Sequence, residues 1–151
     1  MTRTAFLAAA ESACATSMIQ LTLLNAVFDD GTGIDGAGVE DVGVEDAGTT
    51  DVSPLGAASR SYVRGLMGGM ADGQDWGVSA AATATGLKNG RLSRSAAGVW
   101  DINSIGRTEA DGHGYLLAVL SKGNVSMESG IALVEAAAKA AVSGSTSAGA
   151  G

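Results

Sequence analysis

Apolar residues in the first part of the chain recur at intervals of three and four positions. The spacing joins Phe6, Ala10, Cys14, Met18, Leu21, Leu24 and Phe28. It places these side chains on one face of a helix, so the pattern predicts a helical segment over residues 1–28. Thr16 is a candidate internal N-cap, which would divide that segment into two helices.

A second helical pattern follows Ser53-Pro54. Serine is a favoured N-cap, and proline is tolerated in the first helical turn because its missing N–H is not needed there. The apolar face of this predicted helix comprises Ala58, Tyr62, Val63, Leu66, Met67 and Met70. Asp72-Gly73 then signals a turn.

The period changes after Trp76, where alternation replaces the helical spacing. Residues 76–80 are a candidate short strand, and residues 85–92, 99–107 and 115–120 predict three longer ones. The last of these is almost continuously apolar, as expected of a central strand that is covered on both faces. Turn-forming residues at 109–114 predict a hairpin before it.

The final helix is predicted to begin after Ser126, a suitable N-cap, and to turn Ile131, Val134, Ala138 and Ala141 toward the sheet. The predicted fold class is therefore α+β, with a small antiparallel sheet of about three strands flanked by helices over residues 53–142. Residues 143–151 are small and polar, which predicts a disordered tail.

An acidic, glycine-rich stretch separates the first two helical patterns. It contains no Lys or Arg, and its carboxylates are Asp29, Asp30, Asp35, Glu40, Asp41, Glu45, Asp46 and Asp51. Charge repulsion and glycine entropy oppose packing, so we predict a flexible loop over residues 29–52. Ca²⁺ binding is an alternative, but the spacing lacks the EF-hand pattern, and the sequence favours a solvated loop.

Composition narrows the possible partners. The net charge of −7 disfavours nucleic acid and anionic lipid. No stretch approaches the roughly 20 apolar residues of a membrane span, and the run at residues 5–10 is too short for a signal peptide. Cys14 is the only cysteine, which excludes an internal disulfide. No cofactor or metal site is predicted.

Lys88-Asn89-Gly90 is the sharpest candidate for chemistry, and it has two interpretations. On an edge strand, Lys88 would supply charge and Asn89 a hydrogen bond to a ligand carboxylate, while Gly90 would let the ligand approach closely. Alternatively, Asn89-Gly90 is a favoured two-residue hairpin turn. Local rules favour the turn.

The surrounding order of segments resembles a known family. Residues 85–90, 99–106 and 115–121, followed by the helix from Ser126, are similar to the C-terminal portion of the penicillin-recognising serine hydrolases. This family comprises serine β-lactamases and D,D-peptidases, and the likeness is greatest to divergent actinobacterial serine hydrolases. It covers most of residues 16–142.

The resemblance implies the C-terminal part of a β-lactamase-like fold, with Lys88, Asn89 and Gly90 binding the carboxylate of a β-lactam or a D-alanyl peptide. It also implies the secreted or cell-envelope location usual for the family. Asn89 stands where the family commonly has Thr.

The nucleophile motif of that family is missing. Ser-x-x-Lys places a hydroxyl and an amine one helical turn apart. The residues three positions before Lys88, Lys122 and Lys139 are Thr85, Val119 and Ala136. We therefore expect the nucleophile to belong to a missing N-terminal helical portion, and this chain to be inactive alone.

Two alternatives remain at this point: a non-catalytic carboxylate- or peptide-binding module, and an interaction protein that uses the acidic loop. His113, the only histidine, has no evident triad partner and is predicted to lie exposed in a turn.

Overall fold

The computed structural model describes residues 2–6, 11–28, 54–94 and 98–147. Its elements are β1 (Thr2–Phe6), α1 (Glu11–Phe28), α2 (Ala57–Gly68), a 3₁₀ turn (Gly77–Ala80), β2 (Thr83–Arg94), β3 (Val99–Ala110), β4 (His113–Asn124) and α3 (Met127–Ser147). The strands form one sheet in the order β1-β4-β3-β2. Strands β2, β3 and β4 are antiparallel, which confirms the predicted small α+β fold. The predicted acidic loop at 29–52 lies outside the described residues.

Strand β4 is the centre of the molecule, since helices cover both of its faces. On one face, Tyr115, Leu117 and Val119 pack with Val134, Ala138 and Val142 of α3. On the other face, Leu116 and Ala118 pack with Leu21 and Leu24 of α1. This explains why the strand is apolar at successive positions, and it confirms the predicted central strand.

The turn between β3 and β4 consists of Asp111 and Gly112, with φ angles of 52° and 75°. Two successive residues with positive φ are the signature of a type I′ turn, whose twist matches that of the flanking strands. The predicted hairpin is therefore present, and its turn has the Asp-Gly sequence that this geometry favours.

Helix α3 begins with a reciprocal pair of serine hydrogen bonds. The Ser129 amide donates to Ser126 Oγ, and the Ser126 amide donates to Ser129 Oγ, both at 3.1 Å. The predicted N-cap is thus confirmed, with Ser129 in the role that Glu or Gln has in a capping box. The helix continues to Ser147, where a disordered tail was expected from residue 143, because Val142 anchors the preceding turn in the core.

The first segment differs most from its prediction. Thr2–Phe6 is a strand, paired in parallel with β4 from Thr2↔Gly114 to Phe6↔Ala118, and the helix begins only at Glu11. Threonines at positions 2 and 4 favour extended backbone, and the open edge of β4 offers partners that local helical spacing does not reveal. Helix α1 also runs through Thr16 without a break. An N-terminal strand therefore covers one edge of the antiparallel sheet.

Two other predicted boundaries shift. Helix α2 begins at Ala57, after the extended Gly56, so Ser53-Pro54 does not cap it. The predicted short strand at 76–80 is a 3₁₀ turn, because Gly77 has φ 85° and turns the chain out of the extended direction.

Candidate carboxylate-binding cleft

Lys88-Asn89-Gly90 lies inside β2 and does not form a turn. Asn89 pairs with Ser104 and Gly90 with Asn103 in a continuous antiparallel register with β3. The hairpin-turn interpretation is therefore wrong, because the long-range pairing with β3 overrides the local turn preference of Asn-Gly. What remains is a strand at the sheet edge, as the carboxylate-binding interpretation requires.

A cleft of about 240 Å³ opens where α1 meets the sheet beside this strand. Helix α1, strand β2 and the two strands behind it each contribute to its wall. The lining residues are Thr16, Gln20, Lys88, Asn89, Gly90, Asn103, Ile105 and Leu120. The structure thus brings all three predicted site residues to one cleft.

Lys88 is the cationic group of this cleft. It is exposed, it lies opposite Ile105 in the register, and its Nζ donates a 2.7 Å hydrogen bond to the main-chain oxygen of Asn89. An ammonium group has three N–H donors, so two remain for a ligand. A compact, mobile cation at the wall of an open cleft is suited to bind a carboxylate.

The Asn89 side chain does not face the cleft and is not placed to bind a carboxylate there. Successive side chains of a strand point to opposite faces, so Asn89 follows Leu87 to the α3 face while Lys88 faces the cleft. Its Nδ2 donates to the main-chain oxygens of Gln74 (2.8 Å) and Trp76 (2.9 Å). The Asn89 amide therefore holds the segment before the 3₁₀ turn, and Asn89 offers the cleft side only main chain.

Two further side chains fix the 3₁₀ turn from the same face, and neither was predicted. Ser104 Oγ accepts a 3.0 Å hydrogen bond from the Val78 amide, and Glu135 of α3 accepts a longer one, 3.4 Å, from the Gly77 amide. Strand alternation places Ser104 with buried Ile102, and a buried hydroxyl needs a partner. Alternation along the strand could have predicted that Ser104 is buried, but the sequence does not show which backbone group Ser104 binds.

Gly90 stands beside open space. A Cβ atom built at this position would meet no other heavy atom within 4 Å, and its φ is not positive. Glycine inside a strand costs stability relative to alanine, and neither packing nor backbone conformation requires it here. The space above Gly90 is therefore available to a group from outside these residues.

Among the described residues that line the cleft there is no serine, and Thr16 carries their one hydroxyl group. His113 begins β4 at the hairpin end of the sheet, where it is half-buried, and it does not line the cleft. Its predicted exposed position is thus only partly correct. The described residues bring no hydroxyl, imidazole and carboxylate together in the cleft.

Sequence reasoning missed the other polar residues of the cleft, Gln20 and Asn103. Alternation along β3 puts Asn103 on the same face as Ile105, and that face lines the cleft. Gln20 comes from α1, whose position over the sheet is set by Leu21 and Leu24. A helix–sheet juxtaposition of this kind leaves no local pattern in a sequence.

We also searched the described ranges for metal-binding clusters and for membrane-spanning helices. They hold no cluster of three or more His, Cys, Asp or Glu side chains placed to bind a metal. None of the helices described combines the length and apolarity needed to cross a bilayer.

Comparison with protein-family models, with curated proteins and with solved structures gave no match.

Proposed function

We propose that this chain is the carboxylate-recognition part of a penicillin-recognising serine hydrolase, and that it binds its ligand without hydrolysing it. The observation that carries the proposal is that Lys88 and Gly90 lie on the same face of an edge strand. A cation lines the cleft there, and two positions along the chain the strand has a glycine that nothing else in the described structure requires.

The resemblance of residues 16–142 to the C-terminal portion of that family gives the ligand class: β-lactams and D-alanyl peptides, which both present a carboxylate. An ammonium group and a carboxylate form a charge-assisted hydrogen bond, the stronger kind in proteins. The two donors left on Lys88 Nζ are enough for one such contact. The Asn89 side chain does not provide the hydrogen bond to the carboxylate that the sequence predicts, because its amide binds main-chain oxygens on the other face of the sheet.

Exposed apolar side chains support the idea that a further part packs here. On α1, Ile19 and Leu23 are 68% and 51% exposed, and on α2, Tyr62 and Leu66 are 69% and 61% exposed. Each pair is four residues apart, so it forms a stripe along its helix. Helix α2 has no buried residue at all. Helices normally bury one apolar face, which favours a helical portion carrying Ser-x-x-Lys as the partner of these stripes.

The proposal is tested by binding and by acylation in parallel. We expect a fluorescent penicillin to leave no covalent label on the chain, and benzylpenicillin to shift amide resonances around the cleft in a titration followed by NMR. Lys88→Ala should abolish the titration. Gly90→Val should also block it, because its Cβ meets no other heavy atom within 4 Å and the side chain occupies the open space.

Lys139→Ala is the matched control, since it removes an equally exposed cation from α3 on the other side of the sheet. Stoichiometric labelling would show that the chain has its own nucleophile. Titrations that are identical in wild type and Lys88→Ala would refute the carboxylate site.

A non-catalytic binding module, encoded without any catalytic partner, is the second candidate, and the same cleft supports it. The two differ in one outcome. Addition of a helical segment that carries Ser-x-x-Lys should restore penicillin labelling under the first proposal and have no effect under the second.

A further inference from the structure

We propose that Gln20 and Asn103 are the specificity-determining residues of the cleft, and that they bind an amide group adjacent to the ligand's carboxylate. This inference rests on the proposed function, because it presumes that Lys88 binds the carboxylate. It assigns to the cleft a preference for acylated amino acids over simple carboxylates.

The two amides converge from different elements. Gln20 lies on α1 and Asn103 on β3, and both line the same cleft as Lys88. Asn103 is the direct cross-strand neighbour of Gly90. Opposed residues of an antiparallel pair have Cβ positions about 5 Å apart, so the Asn103 side chain stands at the border of the open space above Gly90. A ligand in that space would lie between the ammonium group and the two amides.

Neither amide is engaged by another described residue. Within the part of the chain that the structure describes, the side chains of Gln20 and Asn103 make no hydrogen bond. The other amides of the sheet region differ: Asn89 binds two carbonyl oxygens, and Asn124 Nδ2 donates to the Trp100 oxygen at 3.0 Å. Asn89 and Asn124 therefore serve the fold, whereas Gln20 and Asn103 present unused donors and acceptors to the cleft.

The chemistry of these groups matches one kind of ligand. A primary amide carries two donors and one acceptor, which is what a secondary amide needs for its C=O and its N–H. Ile105 and Leu120 are half-buried in the same wall and offer a small apolar contact. A cleft of about 240 Å³ is smaller than the roughly 300–1,000 Å³ of drug-sized sites, so it fits one terminal acylamino-acid unit.

Two probe ligands isolate the amide. N-acetylglycine and 4-oxopentanoate have the same chain length and the same carboxylate, but the second has CH₂ in place of the amide N–H. We expect the wild-type chain to bind N-acetylglycine about three- to tenfold more tightly, the factor that one hydrogen bond provides. Affinities would be measured by NMR titration of the two ligands against each variant.

Of Gln20→Ala and Asn103→Ala, the substitution that removes the acceptor for the ligand N–H should reduce this preference toward equal binding. A substitution that removes a donor to the C=O should weaken both ligands, because 4-oxopentanoate keeps that C=O. Asn25→Ala is the matched control, because it removes an α1 amide that does not line the cleft, and it should keep the full preference. Circular dichroism on each variant checks that the fold is retained.

The outcomes separate the two ideas. If the wild type binds both ligands through Lys88 without preference, or if the preference survives in both cleft variants, the inference is wrong and the carboxylate site stands. If the wild type binds neither ligand, the carboxylate site itself is wrong, and the inference falls with it.

Discussion

Lys88 and Asn89 are neighbours in the chain, yet their side chains serve opposite faces of the sheet. Lys88 faces the cleft beside α1, while the Asn89 amide binds the oxygens of Gln74 and Trp76 on the α3 face. Under the proposed function, Lys88 therefore contacts the ligand, whereas the Asn89 side chain stabilises the fold. This separation leads to distinct effects of their substitutions.

Asn89→Ala should destabilise the protein, because it leaves two main-chain oxygens without their donor. Loss of such hydrogen bonds in a partly buried place costs about 1–3 kcal/mol. Lys88→Ala removes an exposed side chain and should change the free energy of unfolding by less than about 0.5 kcal/mol. Urea denaturation of both variants measures the difference, and equal effects would contradict the assignment of roles.

Ser104 and Thr108 form a second contrasting pair on β3. Both are fully buried, but Ser104 Oγ accepts a hydrogen bond from the Val78 amide, whereas Thr108 Oγ1 has no hydrogen-bond partner among the described residues. Ser104→Ala should therefore lower the free energy of unfolding by about 1–2 kcal/mol. Thr108→Val keeps the shape, removes the unpartnered hydroxyl, and should raise it by about 1 kcal/mol. A thermal melt in which both variants move in the same direction would refute this account.

Gly77 is required both by its backbone and by its surroundings. Its φ is 85°, and an added Cβ would collide with the Ser104 side chain. Gly73 has a similar φ of 74° but open space around it. We expect Gly73→Ala to cost about 1–2 kcal/mol, from backbone strain alone, and Gly77→Ala to cost about 3 kcal/mol or more. Chemical denaturation of the two alanine variants separates strain from collision.

Asp101 joins the three antiparallel strands at one end of the sheet. It accepts hydrogen bonds from Arg94 Nε at 2.8 Å and from the Gly123 amide at 3.2 Å. The hydrogen bond from Arg94 is the main cause that lowers the pKa of Asp101 below its ordinary value, 3.8. Because the folded state favours the ionised carboxylate, its contribution to stability is present above that ordinary value and is lost as the pH falls through the lowered pKa.

The free energy of unfolding of the wild type should fall between about pH 5 and pH 2, and Asp101→Asn should make this fall smaller. Denaturation midpoints measured across that range give the comparison. Asp72→Asn, which changes an exposed carboxylate in a turn, should leave the wild-type decline in place. A wild-type slope in the Asp101 variant would show that this carboxylate does not contribute to acid unfolding.

The parts of the fold that the sequence predicts well are those that depend on local rules. The apolar run from Tyr115 to Leu120, the Asp111-Gly112 turn and the Ser126 cap each carry their own signal within a few residues. The structure places all three as expected. Lys88-Asn89-Gly90 was the exception, because a strong local turn signal there is overridden by pairing with β3.

The rest depends on distant parts of the chain. Strand β1 exists through its pairing with β4, and the cleft exists because α1 packs over Leu116 and Ala118. Gln20 and Asn103 line one cleft only after α1 has packed on the sheet. Periodicity shows which face of an element is apolar, but it does not show which element will cover that face or which polar groups the contact will bring together.

The position of β1 also has a consequence for biosynthesis. Strand β1 is translated well before β4, its hydrogen-bonding partner in the described sheet. Helix α1, which forms one wall of the cleft, also packs against β4. On the ribosome, β1 and α1 therefore lack the strand they pack against until the β3–β4 hairpin emerges, so the described sheet and the cleft are completed together.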